Sequence, residues 1–132
     1  MCNTLSRIIA VDNYLHNITD SRIIYCGSCA LFLNGIKIDR EPHDIDVRLI
    51  DLNYNDLVAL YVDNAPTKID KLVSDKLPLE YNELQLDDRT ILVQTPKNAL
   101  LWKFDTIVEL YKSGCDYTKH LKDIEYLINI IK

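Results

Sequence analysis

A chain of 132 residues has room for one hydrophobic core, since single cores commonly organise about 100 to 150 residues, so we expect one domain over residues 1–132. Its 48% hydrophobic and 27% charged residues are ordinary globular usage and exclude a largely disordered chain. The formal net charge of -5 argues against general binding of nucleic-acid backbones, although a local basic patch stays open.

The sequence carries no sign of a membrane or secreted protein. No apolar run approaches the roughly 20 residues that a membrane-spanning helix needs. The first ten residues lack the basic start and apolar stretch of a secretion signal. Four cysteines in such a chain are typical of free thiols rather than of a disulfide framework. We therefore expect a cytoplasmic protein that makes no membrane contact.

In the first half of the chain, apolar spacing and turn residues predict helices and strands in alternation. A short apolar run ends at Gly27, and Ser28 is a good N-cap residue for a following helix. Around Asp46, apolar and polar residues alternate with the period of a strand. The predicted elements are a helix over about residues 4–17, a strand over Arg22–Cys26, a helix from Ser28 to about Gly35, a strand over Asp44–Leu49 and a helix over Asn53–Asn64 that Pro66 ends.

The second half predicts three strands followed by two helices. Thr95-Pro96 pairs an N-cap residue with proline at the first helical position. The predicted elements are strands over Lys68–Val73, Leu77–Glu83 and Arg89–Gln94, a hairpin turn at Asp87-Asp88, a helix from Thr95-Pro96 to Gly114, and a last helix with apolar positions from Leu121 to Ile131. The fold class is therefore α+β, a small mixed β-sheet flanked by helices, with two C-terminal helices packed on it.

Two aspartates on one predicted strand are the first candidates for chemistry. Asp44 and Asp46 lie on the same strand face about 7 Å apart along the backbone. Two carboxylates this close repel each other unless cations or basic side chains neutralise them. Magnesium suits such a pair, because it prefers oxygen ligands and commonly bridges protein carboxylates to substrate phosphates. A solvated strand face with two surface aspartates is the alternative, since Asp-x-Asp is a short and common pattern.

The Gly27-Ser28 turn is the second candidate. The start of a helix presents backbone N–H groups and a positive dipole end, so a phosphate can bind there. Glycine permits close approach to the backbone, and the hydroxyl of Ser28 adds a donor. An ordinary N-cap serine after a strand is the alternative interpretation. Transfer of a phosphate-bearing group would need both this turn and the carboxylates of a neighbouring strand.

The order of these motifs resembles the signature of the polymerase-beta-like nucleotidyltransferase superfamily. Tyr25–Leu31, followed by Gly35, Arg40 and Asp44–Val47, is similar to the family pattern, in which a Gly-Ser turn opens a helix and a later strand bears Asp-x-Asp. Fifteen residues separate Ser28 from the first aspartate, more than in the minimal transferases of the family. Small bacterial and phage-type members, including abortive-infection toxins, have similar segments downstream, and here these are Arg89–Lys103 and Lys119–Leu127.

The resemblance implies a nucleotidyltransferase-like fold and Mg²⁺-dependent transfer of a nucleoside monophosphate from a nucleoside triphosphate to a hydroxyl acceptor. The implied catalytic and metal-binding residues, holding two Mg²⁺ ions, are Asp44, Asp46 and Asp70, and the implied nucleotide-binding residues are Gly27, Ser28, Arg40 and Lys103. Asp70 is the first choice for the third carboxylate, which takes the proton of the attacking hydroxyl, and Glu80 is the second. A protein, a tRNA end and a small molecule all stay open as acceptor, as do a homo-oligomer and a protein partner.

Two other functions compete with this enzyme. Cys26 and Cys29 form a Cys-x-x-Cys unit between a strand and a helix start, which resembles a thioredoxin-type redox motif, and Pro66 offers the proline that such folds place opposite the thiols. That fold gives no role to Asp44–Asp46. The third hypothesis is a nucleotidyltransferase-fold protein without catalysis, acting as a binding partner or an antitoxin. Magnesium dependence and sensitivity to thiol alkylation distinguish the three.

Overall fold

The structure, a computed structural model, describes residues 4–18, 22–36, 45–49, 58–62, 65–71 and 79–131. Within these ranges the chain is a mixed α+β protein with four helices and six strands. The helices are α1 (Thr4–Ile18), α2 (Gly27–Leu33), α3 (Pro96–Lys112) and α4 (Thr118–Ile131). The strands are β1 (Ile23–Cys26), β2 (Ile45–Leu49), β3 (Val58–Val62), β4 (Ala65–Lys71), β5 (Tyr81–Leu86) and β6 (Arg89–Gln94).

The six strands form one mixed sheet in the order β3-β4-β2-β1-β6-β5. Its two central strands, β2 and β1, are antiparallel to each other, and each is parallel to its outer neighbour, β4 or β6. Side chains alternate between the faces of a sheet, and directly paired residues share a face. Because Tyr25 pairs with Val47 and Cys26 pairs with Asp46, the first pair lies on one face and the second on the other.

Helix α1 covers the Tyr25 face of the sheet. Ile8, Val11 and Leu15 follow each other at intervals of three and four residues, so they form one helix face, and all three are buried. They pack against Tyr25 and Val47 in the main hydrophobic core. All four residues of β1 are buried, which explains why this strand has no polar alternation in the sequence.

Helices α3 and α4 form an antiparallel pair after the last strand, as the sequence predicts. The side chain of Thr95 caps α3 by accepting a hydrogen bond from the backbone N–H of Asn98, and Pro96 occupies the first helical position. A second hydrophobic cluster joins these helices to α2 through Leu31, Ala99 and Leu127. None of the helices within the described ranges has the combined length and apolar character that crossing a membrane requires.

The predicted helix over Asn53–Asn64 is wrong where the structure describes it. Val58–Val62 is strand β3, which pairs antiparallel with β4, and the other residues of that range lie outside the described ones. The spacing of Leu57, Leu60 and Tyr61 matches a helix, but a short apolar run that is rich in β-branched and aromatic residues suits a strand equally well. Pro66 lies inside β4, one residue before its pairing with β2 begins at Thr67.

The predicted strands are confirmed: Arg89–Gln94 keeps its predicted bounds as β6, and the others have shifted ends within the described residues. β4 begins at Ala65, three residues before the predicted Lys68. β5 covers Tyr81–Leu86, and of the predicted range Leu77–Glu83 the first two residues lie outside the described ones. The strand extends to Leu86 because its pairing with β6 starts directly at the Asp87-Asp88 turn. Asp87 has a φ of 55°, the left-handed conformation that such tight turns require.

Candidate functional site

The turn between β1 and α2 begins at a glycine because the backbone there is left-handed. Gly27 has a φ of 65°, a value that side-chain-bearing residues rarely adopt. Cys26 before it is extended and contributes no capping side chain, and Ser28 follows half-buried as the second residue of α2. The predicted order of strand, Gly-Ser turn and short helix is confirmed, but the prediction of Ser28 as N-cap is wrong: the N-cap is Cys26, and Ser28 lies one residue inside the helix, which already starts at Gly27.

The carboxylate of Asp46 lies directly beside this glycine. The pairing of Cys26 with Asp46 brings the start of β2 next to the end of β1. A methyl group added to Gly27 would lie 3.4 Å from Asp46 Oδ2. The two motifs that the sequence suggests, the turn and the second aspartate of Asp-x-Asp, therefore meet in space. The first aspartate, Asp44, lies outside the described residues.

Arg48 and Trp102 complete this side of the site, and sequence reasoning missed both. The guanidinium Nη1 of Arg48 lies 3.3 Å from Asp46 Oδ1. The Arg48 side chain is 16% exposed and that of Asp46 is 30% exposed. Arg48 Cζ also lies 5.4 Å from the ring centroid of Trp102 on α3, within the range of a cation–π interaction. The period-two alternation of β2 already places Arg48 on the face of Asp46, but no local pattern identifies the tryptophan.

A buried amide network holds the turn from the other side. The backbone N–H of Gly27 donates a hydrogen bond of 3.0 Å to Gln94 Oε1. Gln94 Nε2 in turn donates to Asn98 Oδ1 at 2.8 Å, and Asn34 Nδ2 donates to the backbone carbonyl of Gln94 at 3.1 Å. These bonds connect β6, α3 and the end of α2, so the turn is fixed by side chains up to 67 residues away in the chain. They also mean that Gly27 N–H already has a partner in this state.

The two predicted candidates for a third carboxylate, Asp70 and Glu80, lie at different places in the sheet. β4 lies next to β2, with Asp70 paired to Arg48 and Lys68 paired to Asp46. The backbone of Asp70 is therefore about 8 Å from that of Asp46, one strand across and two residues along. Glu80 precedes β5 at the far edge, where its carbonyl accepts a hydrogen bond from Thr95 N–H, with β1 and β6 between it and β2. The topology thus favours Asp70 over Glu80.

The structure does not place the predicted nucleotide-binding residues Arg40 and Lys103 beside Gly27 and Asp46. Arg40 lies outside the described residues. Lys103 is buried on α3, and its ammonium Nζ lies 3.0 Å from Asp123 Oδ2 of α4. This ion pair connects the two C-terminal helices. Lys103 would have to leave Asp123 to bind a phosphate.

The two cysteines of the turn lack the properties of redox-active thiols. Neither Cys26 nor Cys29 forms a disulfide, and both are buried. Burial raises the pKa of the Cys29 thiol well above its ordinary value, and the negative charge of Asp46 raises it further. Redox cysteines have an exposed thiol with a lowered pKa. Pro66 does not lie opposite the thiols either, because β2 separates its strand from β1.

Taken together, the described site consists of a left-handed glycine, a part-exposed carboxylate, and an arginine that lies over an aromatic ring. Among the described residues, there is no group of three or more histidine, cysteine, aspartate or glutamate side chains that suits a metal ion. Comparisons with protein-family models, curated proteins and solved structures found no match to this chain.

Proposed function

We propose that this protein is a Mg²⁺-dependent nucleotidyltransferase, which transfers a nucleoside monophosphate from a nucleoside triphosphate to a hydroxyl acceptor. One observation carries the proposal: the Asp46 carboxylate lies beside Gly27, at the point where a buried strand turns into a helix. Such a transferase needs an anionic oxygen ligand close to a backbone that a phosphate can approach. The resemblance of the sequence motifs to the polymerase-beta-like superfamily supports the same function and a nucleotidyltransferase-like fold.

The donor set fits magnesium as far as it is described. Asp46 offers a part-exposed carboxylate, and a hard oxygen donor of this kind is what Mg²⁺ prefers. Asp44, Asp46 and Asp70 would hold the metal, which when bound stabilises the negative charge that develops on the phosphates. In this proposal a phosphate binds at the Gly27 turn, where the hydroxyl of Ser28 donates a hydrogen bond to it.

The remaining parts of the proposal are the base for the attacking hydroxyl, a residue that binds the triphosphate, and the class of acceptor. Asp70 accepts the proton of the attacking hydroxyl, as the topology allows because its strand adjoins β2. The resemblance assigns Arg40, which lies in the sequence between α2 and β2, to binding of the triphosphate. The net charge of -5 favours a small molecule, a protein or a tRNA end over long nucleic acid as the acceptor.

A second candidate is a nucleotidyltransferase-fold protein that binds a partner or acts as an antitoxin without catalysis. The ion pair between Arg48 and Asp46 favours it, because the guanidinium lies where a cation would neutralise the carboxylate. A permanent arginine in that place makes a metal unnecessary. Binding of nucleotide without any dependence on Mg²⁺ would identify this alternative.

The deciding experiment is calorimetry with ATP, GTP, CTP and UTP, each with and without Mg²⁺. We expect the wild type to bind at least one triphosphate in a metal-dependent manner. Asp46→Asn should lose this binding, because a neutral amide is a poor metal ligand. Gly27→Ala should weaken it about tenfold or more, because the added methyl group contacts the carboxylate and covers the approach to the backbone.

Gly114→Ala is the matched control for Gly27→Ala. Gly114 has a φ of 73°, so an alanine there suffers similar backbone strain, but an added Cβ would have no heavy atom within 4 Å. Both variants should lose about 1 kcal/mol of stability, and only Gly27→Ala should lose nucleotide affinity. Full affinity and full transfer of labelled nucleotide in Asp46→Asn would remove Asp46 from the proposed site. A wild type that binds none of the four triphosphates, with or without Mg²⁺, would exclude the proposed enzyme.

A further inference from the structure

Arg48 lies between two elements of the candidate site. Its strand, β2, supplies Asp46, and its guanidinium lies over Trp102 of α3. The same cation thus contacts a carboxylate on one side and an aromatic ring on the other. Sequence motifs assign it no role in nucleotide transfer.

The ion pair between Arg48 and Asp46 is weak enough for Arg48 to exchange Asp46 for another anionic partner. At 3.3 Å it is longer than a strong charge-assisted hydrogen bond, and 30% of the carboxylate side chain is exposed to water. Ion pairs between part-exposed groups contribute little to stability because water and salt screen them. The contact with Trp102 does not depend on that carboxylate, since an aromatic face attracts the guanidinium by itself.

A bound nucleotide would change the charges around Arg48. A metal at Asp46 neutralises the carboxylate and removes the attraction that holds Nη1 there. A triphosphate brings several negative oxygens to the same place, and a planar guanidinium binds phosphate with two parallel hydrogen bonds. The position over the ring would keep the guanidinium close while its partner changes.

We propose that Arg48 is a nucleotide-binding residue that exchanges partners: it pairs with Asp46 in the empty protein and with the triphosphate in the complex, while it stays next to Trp102. This inference rests on the proposed function, since it uses the same site and names the residue that recognises the phosphates there. It also explains how the Asp46 carboxylate stays neutralised in the empty protein.

The fluorescence of the protein reports this exchange directly. Trp102 is the single tryptophan of the chain, so its emission reports the surroundings of Arg48. We expect saturable changes in this emission when MgATP is added to the wild type. Arg48→Gln should remove the change and weaken MgATP binding about tenfold or more, as expected for a lost hydrogen bond between charged groups. The same variant should bind Mg²⁺ alone at least as well as the wild type, because the competing cation is gone.

Two further variants serve as controls. Lys119→Gln removes one positive charge at an exposed position of α4, so it measures the effect of net charge and should leave MgATP affinity within about twofold, as is usual for an exposed charge. Arg48→Lys keeps the charge without the planar fork and should bind MgATP with intermediate affinity. If Arg48→Gln does not fold, Arg48→Lys serves as the test variant in its place.

The outcomes separate this inference from the proposed function. If the wild type binds MgATP in calorimetry and both Arg48 variants bind it as tightly as the wild type, the exchange is disproved and the transferase proposal stands. If the wild type binds no triphosphate with or without Mg²⁺, both fail. Loss of the emission change together with weaker MgATP binding in the Arg48 variants confirms the exchange.

Discussion

Asp12 and Asp46 each form an ion pair with an arginine, and they lie on opposite faces of the central strands. Their surroundings differ in burial and in hydrogen bonding. The Asp12 side chain is 3% exposed, accepts a hydrogen bond of 2.7 Å from the hydroxyl of Tyr25, and lies 2.9 Å from Arg89 Nη1. Asp46 is ten times more exposed and its contact with arginine is longer. A buried carboxylate with strong partners cannot leave them for a ligand, whereas a part-exposed one beside a glycine can. The comparison distinguishes a structural ion pair from one that leaves its carboxylate accessible to a ligand.

The surroundings of Asp12 show what a structural ion pair does. The hydrogen bond from Arg89 connects α1 to the start of β6, and the bond from Tyr25 connects it to β1. Burial raises the pKa of Tyr25, and the charge of Asp12 raises it further, so this hydroxyl stays a donor. The hydrogen bond with Asp12 likewise raises the pKa of Arg89. The pair between Lys103 and Asp123 belongs to the same class, with side chains 9% and 5% exposed.

The largest effect should come from breaking the pair between Lys103 and Asp123. Lys103→Met removes the ammonium partner of a buried carboxylate and should lower the free energy of unfolding by about 3 kcal/mol or more. The double variant Lys103→Met/Asp123→Leu should recover most of this loss, since apolar replacement of a whole buried pair is often neutral. Urea denaturation measures both.

The double variant also tests the predicted role of Lys103 in nucleotide binding. Unchanged MgATP affinity in a folded double variant would make Lys103 a purely structural residue. An affinity about tenfold lower would restore it to the nucleotide site, because that is the usual effect of losing one charged hydrogen bond.

The next largest effect is the difference in stability between the asparagine variants of Asp12 and Asp46. Asp12→Asn should lower the free energy of unfolding by about 2 to 3 kcal/mol, below the usual cost for a buried pair because Arg89 is 29% exposed. Asp46→Asn should change it by no more than about 0.5 kcal/mol, or increase it, as is common where a functional charge is removed. Urea denaturation of the two variants in parallel is the measurement. Equal destabilisation would show that Asp46 is structural as well.

The sequence was sufficient to predict the local parts of this site. Gly27 with Ser28 is a turn that only a few residues determine, and the alternation around Asp46 predicts its strand and the face that it shares with Arg48. That these motifs meet is an expectation from the nucleotidyltransferase pattern that the sequence resembles. Their adjacency depends on one antiparallel pairing between β1 and β2.

The sequence could not predict the parts of the site that depend on distant contacts. Trp102 reaches Arg48 and Gln94 reaches Gly27 across more than 50 residues, and nothing in the spacing of either residue indicates it. The error over Asn53–Asn64 has a different cause. An apolar run of five residues is compatible with both periods, and its pairing with β4 decides for the strand.

The smallest effect concerns Cys29, the buried thiol that the charge of Asp46 influences. Its pKa is raised in the folded protein, first by burial, whereas the thiol of the unfolded chain ionises near its ordinary value of about 8.5. Above that pH the unfolded state loses a proton that the folded state keeps, so stability is complete below about pH 8.5 and falls as the pH rises. Between about pH 8.5 and 9.5 this should cost about 1 kcal/mol.

Urea denaturation at a series of pH values measures this loss. Cys29→Ala should be less stable than the wild type at neutral pH, because the substitution makes a buried side chain smaller. Between about pH 8.5 and 9.5, however, its free energy of unfolding should fall by about 1 kcal/mol less than that of the wild type. Cys115→Ala removes an exposed thiol and should keep the wild-type slope. In Asp46→Asn the decline should start at the same pH, which the unfolded chain sets, and level off earlier, since the pKa of Cys29 in the folded protein is lower without the neighbouring charge. If the stability of Asp46→Asn follows the same pH curve as the wild type, burial alone raises the pKa of Cys29, and the charge of Asp46 has no effect on this buried thiol.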